Sequence, residues 1–302
     1  MSETTARTPD APAATRKRRG RVAPRSAPLS TPLSGLPRLL ILSVIAALVL
    51  VPLLATLIGG FKELGELRTN PFGLPHVWHW ENYWGILSSS RYWTILGNSL
   101  YISVATVVLT LMVAAPAAFA FAHLRFFGQR YLFNYLILGL TFPFATAILP
   151  LFIKVRDLGL LDTHWGIILP QVAFNQAVSI LLLRNSFREL PSELLDSALV
   201  DGCGYMRFFI SITLPLSRPI LATVAVISFV ASWNNFLLPL VVINTGRKYP
   251  WTLGLMDYQG EFIVEWQLIL AFITLTILPA VLIFLLAQRH IVSGLAAGAV
   301  KG

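Results

Sequence analysis

The chain has 302 residues, of which 56% are hydrophobic and only 12% charged. A water-soluble fold carries about twice that share of charge, so the composition excludes an ordinary soluble domain. The formal charge of +9 would point to nucleic acid in a soluble protein, but here the placement of the charges matters more than their sum. A single cysteine, Cys203, excludes an internal disulfide framework and a cysteine zinc cluster.

Residues 1–37 are rich in Ala, Pro, Arg and Thr and lack periodicity. They read as a disordered basic tail that sets topology rather than as a nucleic-acid arm. The apolar run 39–61 exceeds a signal-peptide core of about 7–15 residues and ends without an A-x-A site, so it reads as a retained span. Five further long stretches lack Asp, Glu, Lys, Arg and His: 92–122, 131–153, 165–183, 219–246 and 266–288. A crossing helix needs about 20 apolar residues. The expectation is an all-α integral membrane protein with six transmembrane helices, at about 39–61, 97–122, 131–153, 165–183, 219–243 and 266–288. Residues 38–290 form the transmembrane domain, and 291–302 a short C-terminal tail. With both termini inside, 16 of the 23 Lys and Arg fall on the inner side. The positive-inside rule then predicts cytoplasmic N- and C-termini.

The spans hold no ionisable side chain to bind a coupling proton, although Na⁺ coupling through backbone carbonyls stays open. No H-E-x-x-H, G-x-S-x-G or phosphate-binding G-x-x-x-x-G-K-[ST] occurs. The pattern therefore disfavours a membrane enzyme, and energy for uphill movement would come from another subunit. Neutral amides do occur within spans. Gln171, Asn175 and Gln176 cluster in the fourth run, with Gln171 and Asn175 on one helix face. They form either interhelical hydrogen bonds or a polar pathway that bonds sugar hydroxyls, and chemistry alone leaves both open.

The segment Arg184–Arg218 differs from the other loops. Pro191 and Ser192 start a helix with an apolar stripe at Leu194, Leu195, Ala198 and Leu199. Gly202 ends it in a left-handed turn, and Tyr205–Thr213 forms a second helix before Pro215. The unit is either a knob for a partner's groove or a helix lying on the membrane surface.

Asp196-Ser197-Ala198, Gly202 and Ile212-Thr213-Leu214-Pro215 stand at the spacing of the EAA motif, and Asp201-Gly202 matches its D-G. On these residues the chain resembles permease subunits of ATP-binding-cassette (ABC) importers, with Asp196 in place of Glu and Ser197 in place of Ala. The ending from Gln288 to Gly302 is similar to the tail of the second permease of maltose-type sugar importers. Trp233, Asn234 and Asn235, with Phe236, resemble the fifth-span signature of that family, in which an acidic residue is common at the Asn235 position. The resemblance covers about residues 61–302.

The resemblance implies a type I importer permease fold with a cytoplasmic EAA coupling helix, in a bacterial cytoplasmic membrane. It implies that Glu193, Asp196, Ser197, Ala198, Asp201 and Gly202 meet the ATP-binding subunit, and that the tail residues Gly294, Gly298, Lys301 and Gly302 reach the ATPase dimer interface. It further implies that Trp251 and Tyr258 lie in a loop contacting the extracytoplasmic solute-binding protein; as bare residues they read as interfacial anchors. The substrate pathway would draw on Gln171, Asn175, Gln176, Trp233, Asn234 and Asn235. No catalytic residue, metal or cofactor is expected in the chain, since ATP and Mg²⁺ would be held by the partner. The implied partners are a second homologous permease, an ATP-binding subunit dimer, a solute-binding protein, membrane lipid and a sugar, a di- or oligosaccharide. A different small polar solute, or an ATP-independent carrier, is the alternative.

Overall fold

The structure is a computed structural model and describes residues 35–260 and 263–299. Expectations for residues 1–34, Lys301 and Gly302 lie outside the described residues. The described residues are almost wholly helical, with one isolated antiparallel bridge between Gln259 and Val264.

The chain divides into two compact units, Met1–Leu50 and Val51–Gly302. The first unit contributes the start of α1 (Gly35–Gly59), which begins inside the stretch expected as tail. Its leucines, isoleucines and valines are exposed, for example Leu48 at 75%. An apolar helix with exposed side chains suits a lipid solvent, because its backbone is bonded internally.

In the second unit the segment after α1 carries α2 (Leu64–Thr69) and α3 (Glu81–Ser88). The long α4 (Ser90–His123) follows, then α5 (Gln129–Leu138), α6 (Ile148–Asp157) and α7 (Trp165–Arg188). The helix–glycine–helix unit consists of α8 (Ser192–Val200), α9 (Tyr205–Phe208), a π-helical turn at Phe209–Thr213, and α10 (Leu214–Leu216). Then come α11 (Arg218–Trp233), α12 (Leu237–Val242), the short α13 (Trp251–Gly254) and α14 (Trp266–Ala299).

Four of these helices are long and apolar enough to cross a membrane, and the count reaches six if each of two bent pairs is one span. Two stretches expected as single helices are broken. Residues 131–153 bend by 95° between Gln129–Thr141 and Phe144–Asp157. Pro143 causes this: it disfavours helical backbone at Phe142, whose φ and ψ are −84° and 117°. The stretch 219–243 breaks after Trp233, where the Asn235 side chain caps the new helix by accepting from Leu238 N at 3.2 Å. A second bend, of 78°, separates Tyr205–Leu216 from Arg218–Trp233.

Helix α4 organises the core, packing along α7 and α11, while α11 packs along α14. Its buried stripe is Ser99, Ser103, Thr106, Thr110, Ala114 and Ala118, spaced three or four residues apart. Such small side chains let helix backbones approach closely in a bilayer, where dispersion and hydrogen bonding replace the hydrophobic effect. Along α4 lie three apolar clusters, containing Ile95, then Ile102, then Ala114 to Phe121.

Candidate translocation pathway and coupling surface

Gln171 sits on α7 and is 5% exposed. Its Oε1 accepts hydrogen bonds from Ser232 Oγ at 2.6 Å and Thr106 Oγ1 at 3.1 Å, which ties α7 to α11 and α4. Its Nε2 is buried with no protein partner. Beside it is a void of about 10 Å³ lined by Ser99, Ser103, Ser232, Trp233 and Asn235, room for one water. Gln171 thus makes the interhelical bonds that the sequence left as one of two readings.

Asn175 and Gln176 stand further along α7 and are partly buried. Gln176 Nε2 donates to Val172 O at 3.1 Å, while its Oε1 is buried without a partner. Gln176 lines a groove of about 440 Å³ between α5, the break at Gly139–Phe142, and α7, together with Tyr135, Phe142 and Phe174. Trp233 is 3% exposed and stacks on Phe229 at 5.4 Å. Asn234 is exposed and donates to Val230 O at 3.0 Å. Trp233, Asn234 and Asn235 therefore build the break between α11 and α12, next to the Gln171 site.

The helix–glycine–helix unit has the turn expected from sequence. Gly202 has φ +78°. Cys203 N donates to Ala198 O at 2.8 Å and Gly202 N to Leu199 O at 3.1 Å. This pair is a Schellman motif, with Gly202 as the left-handed residue that spares a Cβ penalty. Glu193, Asp196, Ser197, Asp201 and Gly202 are all exposed, beside exposed Leu199, Val200 and Met206. The surface is apolar with an acidic rim. Ala198 does not share it: at 8% exposure it packs into the cluster of Phe119, Phe187 and Phe208. The helical period turns Ala198 inward as it turns Asp196 and Val200 outward. The unit is thereby seated on the ends of α4, α7 and α11. Gly294 and Gly298 lie within α14, which continues without a break past residue 290.

Trp251 is half-buried at the start of α13. Its Nε1 donates to Trp233 O at 2.6 Å, and its N to Ser99 Oγ at 2.7 Å. Tyr258 packs on Phe272 at 5.5 Å, and burial, reinforced by the neighbouring Asp257 charge, pushes its phenol up to about 12. Among the described residues no His, Cys, Asp and Glu group can hold a metal ion. The sequence reading missed Thr106 and Thr252; the one available signal is the three- and four-residue spacing of hydroxyls along α4.

The chain matches the binding-protein-dependent transport system inner membrane component family over residues 110–296, and it belongs to that family. It is a multi-pass membrane component of a transport system, not an enzyme. It is 33% identical over 255 residues to the diacetylchitobiose uptake system permease protein NgcG of Streptomyces coelicolor, covering 84% of each chain. It is 34% identical to the arabinooligosaccharides transport system permease protein AraQ of Halalkalibacterium halodurans, covering 85% of this chain and 93% of that one. Its fold matches a chain of a bacterial ABC transporter involved in the import of the acidic polysaccharide alginate, with TM-score 0.74 and 23% identity, over 86% of this chain and 96% of the other.

Proposed function

We propose that the chain is one of two permeases of an ATP-driven oligosaccharide importer. It forms the translocation pathway with a second, homologous permease, and an ATP-binding subunit dimer drives alternating access. That dimer binds the ATP and Mg²⁺, and an extracytoplasmic solute-binding protein delivers the sugar. The names of the chitobiose and arabinooligosaccharide relatives support the sugar class. Both termini are cytoplasmic, because that orientation places most of the Lys and Arg inside.

The observation that carries the coupling role is the Gly202 Schellman turn. It presents Glu193, Asp196, Ser197 and Asp201 on an exposed unit whose other side is built into the span ends. A push on such a unit reaches α4, α7 and α11 directly. Ala198 serves that seating rather than the partner contact. Gln176 and Asn175 line the sugar pathway near the α5 bend, and Gln171 holds the spans on which they stand. The extended α14, with Gly294 and Gly298, reaches toward the ATPase dimer.

The test is co-purification from native membranes, followed by reconstitution with diacetylchitobiose and arabinotriose as probes. ATP-dependent uptake by a complex of two permeases, an ATPase dimer and a binding protein is expected. A chain that purifies alone and moves solute without ATP would make it a carrier and remove this reading.

A further inference from the structure

The α13 turn of the outer loop is built into the protein. Thr252 is 5% exposed and Leu253 1%. A Cβ on Gly254 would come within 2.9 Å of Phe272 Cζ and 3.0 Å of Ile95 Cδ1, so α13 is wedged between α4 and α14. From this position it reaches the end of α11.

A helix leaves its last carbonyls without partners, and at a break inside the protein something else must satisfy them. At the end of α11 and in the linker to α12 the outer loop does this. Trp251 Nε1 donates to Trp233 O at 2.6 Å, and Thr252 Oγ1 to Asn235 O at 2.9 Å. The same turn is fixed to α4 by Trp251 N donating to Ser99 Oγ at 2.7 Å. One residue back, Ser232 bonds Gln171, and Gln171 bonds Thr106. A continuous polar chain thus runs from the outer loop through the α11–α12 break to α7 and α4.

We infer that Trp251 and Thr252 are positioning residues that cap the broken end of α11, so that the outer loop and the α11–α12 break move as one piece. A partner that displaces the loop then changes the α11–α12 break and the packing at Gln171. The importer reading enters only in naming that partner as the solute-binding protein; the caps themselves are independent of it.

The test uses the assembled transporter with three variants. Trp251→Phe keeps an aromatic ring and removes the N–H. Thr252→Val keeps the shape and removes the hydroxyl, while Thr252→Ser keeps the hydroxyl. Hydrogen exchange is followed over residues 234–243, and ATP hydrolysis is measured with and without the binding protein, purified from the source cells with its native ligand. Trp251→Phe and Thr252→Val are expected to exchange the amides of Leu237, Leu238, Leu240, Val241 and Val242 roughly five- to tenfold faster. Stimulation of ATP hydrolysis by the binding protein is expected to fall by a similar factor, with unchanged basal rate and complex yield. Thr252→Ser is expected to match the wild type in both. Unchanged exchange, or faster exchange with full stimulation, overturns the inference. So does loss of the assembled complex in both Trp251→Phe and Thr252→Val, which would make the caps merely structural. If the wild-type complex ignores the binding protein, the importer reading fails, and the exchange measurement still judges the caps.

Discussion

Ser232 Oγ lies 2.6 Å from Gln171 Oε1, joining two helices across 61 positions of sequence. Thr106 bonds the same oxygen. Replacing Gln171 with Leu strands both hydroxyls in an apolar surround, which costs about 1–3 kcal/mol. Gln171→Leu is therefore expected to lower the thermal stability of the detergent-solubilised chain clearly, while Asn175→Ala leaves stability nearly unchanged and reduces uptake. Equal stability of Gln171→Leu and wild type would remove the structural role of this site.

Asp162 holds the segment after α12. Its carboxylate accepts from Asn244 N, Thr245 N, Thr245 Oγ1 and Lys248 Nζ, the last at 2.8 Å. These partners, Lys248 foremost, hold its carboxyl well below the usual carboxylate range. A depressed folded pKa gives stability that is present above the unfolded value, about 3.9, and lost as pH falls through the folded value. The clasp should therefore be insensitive between about pH 5 and 8 and open only in strong acid. Both side chains are partly exposed, so the ion pair alone contributes under about 1 kcal/mol. Asp162 has φ +54°, which Asn tolerates, so Asp162→Asn isolates the loss of charge. Tryptic cleavage after Arg247 and Lys248 is expected to quicken roughly fivefold in that variant. An unchanged cleavage rate would show that the clasp does not order the loop.

Gly202 has φ +78°, and an added Cβ would meet nothing within 4 Å. Substitution there costs backbone strain, about 1–2 kcal/mol for Ala and more for a β-branched residue, rather than a clash within the chain. Gly202→Val is expected to insert normally into the membrane yet lose most ATP-driven uptake, with Gly202→Ala intermediate. Wild-type uptake in Gly202→Val would argue against this turn as the coupling contact.

Gly254 is the opposite case. An added Cβ would stand 2.9 Å from Phe272 and 3.0 Å from Ile95, both about 1% exposed. Overpacking of this kind costs about 1–3 kcal/mol. Gly254→Ala is expected to destabilise the detergent-solubilised chain by that amount, as measured by thermal unfolding. No shift would mean that α13 is loosely held.

The candidate site was partly legible in the residues. Gly202 announced its turn because few other residues end a helix in the left-handed region, and the flanking apolar stripe fixed the helix before it. Glu193 and Asp196 could be placed outward by the same period. Ala198 could not be separated from them, since a small apolar residue suits either an inner seat or a partner's contact. Thr106 offered only the spacing of hydroxyls along α4, and Thr252 gave no signal, because one hydroxyl in an apolar run resembles any other until its acceptor is known.

By itself the sequence determined the all-helical membrane class, the position of the apolar runs and the helix–glycine–helix unit. These follow from what each residue costs in hydrocarbon or in a helix, a property read one position at a time. Only the tertiary structure decided that Gln171 ties α7 to α4 and α11, and that Trp251 caps the end of α11. Those outcomes depend on which distant donors and acceptors the packed helices bring within hydrogen-bond reach, and no local pattern encodes such pairings.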